Sequence, residues 1–310
     1  MVFDAVDAHC IYSPDMQLRL LMLVVLAMLA FAGNSLLCRW ALQATSIDAA
    51  TFTSVRLVAG ALTLWLLLRS RAPKASSVSG SWPAAAALFI YAAAFSFAYR
   101  SLTAATGALL LFGAVQATML AWGFARGEGV MLRQAIGFLM AASGLTVLLL
   151  PGLTAPPLAG AVLMLLAGIA WGVYSLLGRG ADDSVAATAG NFLRAVVFTL
   201  VLSAIFWPAA ALDVRGIVLA VASGAITSAL GYVAWYRALP SLRTVQAASV
   251  QLSVPVITAV GGVLLLGEVP SLRLVGCGVV ILGGIALTLT SAAGPPGNEA
   301  RCRRTSARGE

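Results

Sequence analysis

The chain has 310 residues, of which 61% are hydrophobic and 10% are charged, and its mean hydropathy is +0.97. Soluble domains are about half apolar and about a quarter charged, so this composition excludes a water-soluble globular protein. The net charge of +8 comes from basic residues scattered through short connections and one tail. That pattern sets orientation in a membrane and does not indicate nucleic-acid binding.

Ten apolar stretches follow one another along the chain, separated by clusters of charged residues, proline or glycine. Each is close to the length that crosses a hydrocarbon core of about 30 Å, and only a helix satisfies its own backbone hydrogen bonds in lipid. The stretches are about 18–38, 49–68, 83–99, 104–123, 133–150, 158–178, 186–207, 214–235, 244–266 and 272–291. The sequence therefore predicts an all-α membrane protein with ten transmembrane helices.

Two tails flank these stretches. Segment 1–17 opens with acidic residues and holds the single histidine, His9, which is unlike a cleaved signal peptide, and Met16 is an alternative start for translation. Segment 293–310 is basic and rich in proline and glycine, as disordered tails are. Placing both ends in the cytoplasm puts thirteen basic residues inside and four outside, which satisfies the positive-inside rule. We expect a multi-pass protein of a bacterial inner membrane.

Cofactor and catalytic motifs are absent from the sequence. Cys10, Cys38, Cys277 and Cys302 are isolated, so neither a metal site nor a disulfide framework is indicated. The chain has no GxxxxGK[ST] phosphate loop and no HExxH or GxSxG motif. We expect no cofactor, no catalytic residues and no enzymatic activity.

The two halves of the sequence match at an offset of 137 to 140 residues. Matching segments are Ser35-Leu36-Leu37 with Ser175-Leu176-Leu177, Tyr99-Arg100 with Tyr236-Arg237, and Gly127-Glu128 with Gly267-Glu268. A repeat of five helices is odd in number, so the second copy must enter the membrane upside down. Inverted repeats indicate a transporter with its substrate path near the midplane. We expect 18–151 and 158–292 to form two inverted-topology five-helix repeats.

Short motifs along almost the whole spanning region resemble one family of transporters. They are Ala32-Gly33-Asn34-Ser35, Phe52-Thr53-Ser54-Val55-Arg56, Ala98-Tyr99-Arg100, Gly127-Glu128, Ala170-Trp171-Gly172, Arg194, Tyr236-Arg237, Pro255 and Leu265-Leu266-Gly267-Glu268. In their order and duplication they resemble the drug/metabolite transporter superfamily, specifically its ten-helix type with two EamA-type permease domains. Val115 departs from that pattern, because it stands where Pro255 stands in the second half.

The resemblance implies export or exchange of a small metabolite, as in relatives that move amino acids, sugars, nucleotide precursors or drugs, and it does not choose among them. We expect a small polar metabolite, such as an amino acid or related solute, moved by alternating access between the inverted repeats. All 11 acidic residues fall in loops, tails or helix ends, whereas proton-driven exporters generally hold a titratable group in their path. We therefore expect facilitated diffusion or exchange. The alternatives are proton-coupled drug or metabolite efflux and a non-transporting membrane subunit or receptor. Expected partners are a small solute and the lipid bilayer, without nucleic acid, for a monomer or a homodimer.

Two arginines, Arg56 and Arg194, lie about seven residues inside their predicted helices and are related by the repeat. A cation in hydrocarbon costs roughly 2.5–3.5 kcal/mol, so both should face protein or water. In one interpretation, one or both bind a carboxylate or phosphate of the substrate. In the other, which the symmetric placement favours, they are structural and snorkel or cap a neighbouring helix.

Polar and aromatic residues deep in the stretches complete the candidate site. Tyr91, Phe95 and Tyr99 recur at helical spacing, and the repeat relates them to Ser228, Tyr232 and Tyr236. Such stripes line a cavity or form an interfacial belt, and the depth of Tyr91 and Tyr232 favours the cavity. Deep polar residues line the path or bond across helices. The candidate substrate-binding set is Asn34, Arg56, Tyr91, Gln116, Trp171, Tyr174, Arg194 and Tyr232, with Gln251 considered beside them.

Glu128 and Glu268 follow glycines at predicted helix ends on opposite sides of the membrane. Their repeat relation suggests a role in gating or proton transfer. The favoured interpretation is a solvated helix end, with Glu128 paired to Arg126 or Arg133 and Glu268 paired to Arg273, because neither acid lies at span depth.

Glycines seven residues apart mark the fifth and tenth stretches: Gly137 with Gly144, and Gly276 with Gly283. Small residues on one helix face let another helix approach closely. We expect these faces to seal each half inside the chain, with a dimer contact as the alternative.

Overall fold

The computed structural model describes residues 14–70, 79–125, 132–150, 152, 155–178, 183–242 and 250–291. Regular structure in these ranges is helical, without a β-strand. The predictions for both tails, and those for Glu128, Arg126, Cys10 and Cys302, concern residues outside the described ranges.

Within the described ranges, helical structure lies in every predicted stretch. The helices are α1 Pro14–Ala44, α2 Ala49–Arg69, α3 Trp82–Tyr99, α4 Ala104–Ala125, α5 Leu132–Leu149, α6 Leu158–Leu177, α7 Ser184–Phe206, α8 Val214–Ala238, α9 Ser253–Leu266 and α10 Leu272–Ser291. Eight of them, α1 to α8, are long and apolar enough to cross a membrane, whereas α9 and the apolar part of α10, Leu272–Leu287, are shorter. The chain is thus an all-α, multi-pass integral membrane protein.

Large apolar side chains cover the outward faces of the bundle. Leu66, Leu139, Leu200 and Leu264 are each at least 60% exposed. Such extensive exposed apolar surface is unfavourable in water, and lipid tails cover it in a membrane.

Capping residues in the connections set where several helices begin and end. Asp48, Ser81, Asp183 and Asp213 precede α2, α3, α7 and α8, and each side chain accepts from backbone N–H groups of the first turn. The C-cap of α9 is Gly267, whose φ of 65° is in the left-handed region that glycine tolerates best. The next amide, of Glu268, donates to the Gly262 carbonyl, and this turn fixes the direction in which the chain leaves α9.

Asp48 also ties two connections together. Its carboxylate accepts from the amides of Ala50, Thr51 and Ala211, each at 2.9 Å. Partial burial acts to raise the pKa of this carboxyl, but hydrogen bonds from Thr51, Ala211 and Ala50 outweigh it and hold the pKa below its ordinary value. A charged Asp48 thereby holds the connection before α2 against the connection before α8.

Helices of the first half pack mainly against helices of the second half. The most extensive pairs are α5 with α10, α2 with α7, α4 with α9, α3 with α6, α1 with α8, α4 with α6, α1 with α9, α2 with α8, and α3 with α7. These nine pairs map onto one another when helices 1 to 5 are exchanged with helices 6 to 10, whereas a smaller contact of α4 with α10 has no counterpart of that size among the described residues. The buried core therefore lies between the two halves.

α5 packs closely on α10 within the chain, so these two helices meet across the halves, whereas the sequence predicted that each would seal its own half. A Cβ on Gly144 would lie 2.8 Å from Ile281, and a Cβ on Gly284 would lie 2.5 Å from the Gly137 carbonyl oxygen. The prediction was wrong for Gly276 and Gly283, around which a Cβ would meet nothing within 4 Å. Gly284, one residue along, makes the close approach instead.

Candidate functional site

The centre of the bundle lies where α8 departs from α-helical geometry. Residues Ser223–Leu230 form a π-helical segment, a feature frequent at functional sites. Gly224 lets this segment approach α2, because a Cβ there would lie 2.1 Å from the backbone oxygen of Arg56. The segment brings three buried hydroxyl residues, Ser223, Thr227 and Ser228, to the interface.

Asn34 of α1 joins this segment to α3. Its Oδ1 accepts from Ser223 Oγ at 2.7 Å and from Thr227 Oγ1 at 3.4 Å. Its Nδ2 donates to the Tyr91 hydroxyl oxygen at 3.1 Å. Because buried amides need partners, these bonds explain how Asn34 is accommodated deep in an apolar bundle.

Arg56 of α2 extends the same network and is 1% exposed. Its Nη2 donates to the Tyr91 hydroxyl at 3.1 Å and its Nε donates to Ser228 Oγ at 3.2 Å. The guanidinium carbon lies 5.2 Å from the Tyr91 ring centroid and 5.1 Å from that of Phe95, within cation–π range. Among the described residues, its Nη1 has no hydrogen-bond partner.

Aromatic rings from both halves close around these polar groups. The Trp171 ring centroid lies 4.9 Å from those of Tyr91 and Tyr232 and 5.5 Å from that of Tyr174. The rings of Tyr91, Trp171 and Tyr232, together with Asn34, line a cavity of about 20 Å³. Such a volume holds about one water molecule, so a solute can enter only if helices move apart.

Six of the eight residues predicted to bind substrate come together in this region: Asn34, Arg56, Tyr91, Trp171, Tyr174 and Tyr232. Gln116 is buried but lines a separate cavity of about 110 Å³ that α4 shares with α5 and α10. Sequence reasoning missed Ser223 and Thr227 as partners of Asn34. Their spacing of four residues inside an apolar stretch is the signal that could have found them.

Arg194 lies apart from the central network. Its Nη1 donates to the carbonyls of Ser79 at 2.8 Å and Gly190 at 3.0 Å, and its guanidinium carbon is 6.0 Å from the Trp82 ring centroid. These contacts match the structural interpretation for Arg194. The two repeat-related arginines therefore differ in their surroundings.

We predict that Arg194→Gln lowers the free energy of unfolding by about 1 kcal/mol through loss of charge-assisted bonds to carbonyls. Solute selectivity should not change, because Arg194 is remote from the central network. Thermal unfolding of the purified variant, together with uptake by the folded fraction, checks this; altered selectivity would contradict it.

Glu268 forms a buried ion pair with Arg39, and their side chains are 9% and 13% exposed. Arg39 Nε donates to Glu268 Oε1 at 2.9 Å, and the amide of Ala104 donates to Oε2 at 2.8 Å. Arg39 Nη1 also donates to the Tyr99 carbonyl at 3.0 Å. This cluster, which we call the ion-paired end, joins α1, α3, α4 and α9.

Two predictions about this end were wrong. Glu268 is not solvated, and Arg273 is not its partner, since Arg273 donates to the carbonyls of Val147 and Leu150 instead. For Tyr99 the sequence left a cavity stripe and an interfacial belt open; the side chain is fully buried and donates to the Ala104 carbonyl at 3.3 Å, which excludes the belt. Arg273 was predicted as the partner of Glu268 because it is close in sequence, whereas the packing of the helices places Arg39 beside Glu268 instead.

The second half of α4 borders a cavity of about 900 Å³ between α4, α5 and α6. Its walls are mainly apolar and include Trp122 and Ala125 of α4 and Leu177 of α6. The α4 residues that line the cavity run from Gly113 to Ala125, so along the helix the cavity wall extends from about 14 Å to about 32 Å from Ala104 of the ion-paired end. The bundle is thus tied together at one end and more open at the other.

Three comparisons place the chain among known proteins. The model of the EamA-like transporter family matches residues 158–290. An uncharacterized protein of Pseudomonas aeruginosa is 56% identical over 281 residues, which are 91% of this chain and 98% of that protein. An uncharacterized transporter of Archaeoglobus fulgidus is 24% identical over 280 residues, which are 86% and 96% of the two chains.

One crystal structure superposes with a TM-score of 0.62 at 19% identity, covering 87% of this chain and 97% of the other. At that identity the likeness concerns the fold alone. The family match and the transporter relative agree with the motifs and the helical bundle. The chain is therefore a membrane protein with an EamA-like transporter domain at residues 158–290, which together with the transporter relative supports an EamA-type permease of the drug/metabolite transporter superfamily.

Proposed function

We propose that the protein is a secondary transporter that exports a small polar metabolite by alternating access. The observation that carries this is the polar and aromatic cluster drawn from both halves. Asn34, Tyr91, Trp171 and Tyr232 line a cavity of about 20 Å³, and Arg56 lies behind it, bonded to the Tyr91 hydroxyl. Transporters built from inverted repeats bind substrate near the midplane at the repeat interface. The cluster fits such a site in a closed conformation.

The packing of the helices supports ten spans in two inverted repeats, 18–151 and 158–292. The nine most extensive helix pairs are preserved when the two halves are exchanged, and the sequence offset of 137 to 140 residues relates helices with the same place in each half. In this arrangement α9 and α10 complete the spans despite their shorter apolar lengths, and exchanging the conformations of the two halves moves the opening from one side to the other.

The two ends of the bundle support a conformation closed to the outside. With both termini cytoplasmic, as the basic residues favour, the ion-paired end faces outward and the 900 Å³ cavity faces inward. A bacterial inner membrane fits this orientation and the Pseudomonas relative. Glu268 then has a gating role, and Glu128, outside the described residues, is its repeat-related candidate on the inner side.

We propose transport without proton coupling and without catalysis. In the central network as far as the structure describes it, the polar groups are hydroxyl, amide and guanidinium groups, and none is a carboxylate. Coupled carriers generally place a titratable acid in the path. Facilitated diffusion or exchange needs only differential binding in the two conformations.

Proteoliposomes containing the purified protein test this proposal. We expect saturable uptake of a labelled metabolite pool without a pH gradient, and faster uptake when the same pool is inside the vesicles. Uptake only under a pH gradient would favour proton-coupled efflux instead. Absence of uptake by a folded protein that purifies with a partner would favour a non-transporting subunit.

A further inference from the structure

We propose that Arg56 binds a carboxylate group of the transported solute through its unused Nη1, with the Tyr91 hydroxyl as a second donor. This inference names a substrate class for the site and rests on the proposed function. It gives a substrate-binding role to Arg56 and not to Arg194, because Arg194 bonds to backbone carbonyls.

The guanidinium of Arg56 is a permanent charge with incomplete partners. It is 1% exposed and bonds only to the neutral oxygens of Tyr91 and Ser228. The ion pair that forms within the described ranges joins Arg39 to Glu268 and does not involve Arg56. Buried charges are ordinarily paired, and a guanidinium fork matches a carboxylate in geometry.

Other arginines of the bundle show what a structural role looks like. Arg39 bonds to a carboxylate and a carbonyl, and Arg194 and Arg273 bond to backbone carbonyls. Carbonyl and carboxylate oxygens carry more negative charge than hydroxyls and stabilise the cation better. Arg56 has neither kind of partner and keeps one nitrogen unbonded.

The Tyr91 hydroxyl supplies a second donor beside this nitrogen. Its oxygen already accepts from Arg56 Nη2 and Asn34 Nδ2, which uses both acceptor positions of a hydroxyl and leaves its hydrogen to donate elsewhere. Tyr91 lines the small cavity, and Phe95, over which the guanidinium lies, lines it too. A carboxylate in an enlarged cavity meets both donors.

Charge and shape favour a single carboxylate over a phosphate ester. Arg56 provides one positive charge to the network, so one carboxylate neutralises it, whereas a dianionic phosphate leaves a net negative charge away from water at high cost. The remaining walls are mainly apolar, with the rings of Phe31, Phe112, Trp171 and Tyr232 beside Leu111, and with Asn34 and Ser35 as the polar members. They suit an apolar or flat remainder of a small solute.

The test measures uptake of labelled solutes of four chemical classes by purified protein in liposomes. These are solutes with one carboxylate, such as lactate and alanine; the matching amides, lactamide and alaninamide; neutral sugars; and phosphate esters. Uptake is counted above protein-free liposomes. We expect uptake of carboxylates, with each acid preferred over its amide by about 10- to 100-fold, the range expected for a charge-assisted bond.

Variants of two arginines on the same helix provide the matched comparison. Arg56→Gln should lower carboxylate uptake about 10- to 100-fold, and Arg56→Lys should retain part of it. Arg69→Gln should behave as wild type, because Arg69 is exposed at the end of α2 and stacks on Trp65. If the Arg56 variants do not fold, the acid-to-amide ratio in wild type and its thermal stabilisation by lactate over lactamide decide the question.

The outcomes separate the two proposals. Uptake of amides or sugars at the rate of carboxylates overturns the carboxylate site and leaves transport standing. A folded Arg56→Gln protein that carries carboxylates at the wild-type rate also overturns it. No uptake of any class by folded wild type overturns the proposed function itself.

Discussion

Gly224→Ala is expected to cause a large loss of folded protein and of transport. The added Cβ would lie 2.1 Å from the backbone oxygen of Arg56 and 2.9 Å from its carbonyl carbon, and backbone atoms cannot move aside as a flexible side chain can. Overpacking costs about 1–3 kcal/mol and occasionally more, and here we expect the upper end or beyond. Separation of α8 from α2 also breaks the bond from Arg56 to Ser228. Thermal unfolding and yield in detergent measure the effect.

Gly276→Ala is the matched control, because a Cβ at Gly276 would meet nothing within 4 Å and alanine favours the helix. Stability equal to or above that of wild type is expected for this variant. A Gly224→Ala protein as stable as the Gly276→Ala protein would show that α8 and α2 are not in tight contact in the membrane.

Glu268→Gln is expected to open the ion-paired end. Removing one member of a buried ion pair costs about 3–5 kcal/mol, since the other charge is left without compensation. Because the ion pair forms in the closed conformation, its loss destabilises that conformation, and the fraction of molecules open at this end should rise at least tenfold. Cys38, the neighbour of Arg39, is fully buried and reports the change. In a variant whose other three cysteines are serine, its reaction with an impermeant maleimide should accelerate by at least tenfold.

The charge-swapped double variant Arg39→Glu with Glu268→Arg provides the rescue. It should restore slow labelling of Cys38, because the opposite charges still meet across α1 and α9. Equal labelling of wild type and Glu268→Gln would mean that the pair does not hold this end closed. Arg273→Gln, which changes only bonds to carbonyls, should leave labelling unchanged.

Hydropathy was enough to predict the helices, because each spanning element has to be apolar over a known length. Depth within a stretch was also enough to select Asn34, Tyr91, Trp171 and Tyr232, since buried polar and aromatic groups there must meet other helices. The depth of a residue within its stretch does not predict which neighbouring helix its side chain contacts. Gln116 has the expected depth but faces α5 and α10.

The partners of charged groups were the least predictable part of the site. Arg56 and Arg194 have the same place in the repeat, yet only Arg194 reaches carbonyls, at Ser79 and in its own preceding turn. Glu268 pairs with Arg39, which is 229 positions away. Such contacts follow from helix packing and from the π-helical segment of α8, neither of which hydrophobic periodicity reveals.

Packing of each half on the other has a consequence for synthesis. Asn34 and Arg56 leave the ribosome in α1 and α2, but Ser223 and Ser228 are made more than 150 residues later. At about 5–20 residues per second this delay is on the order of ten seconds or longer. During that interval α1 and α2 lie in the membrane while the Asn34 amide and the Arg56 guanidinium lack their hydrogen-bond partners from α8. A nascent chain that stalls before α8 therefore presents an uncompensated charge to the quality-control machinery of the membrane.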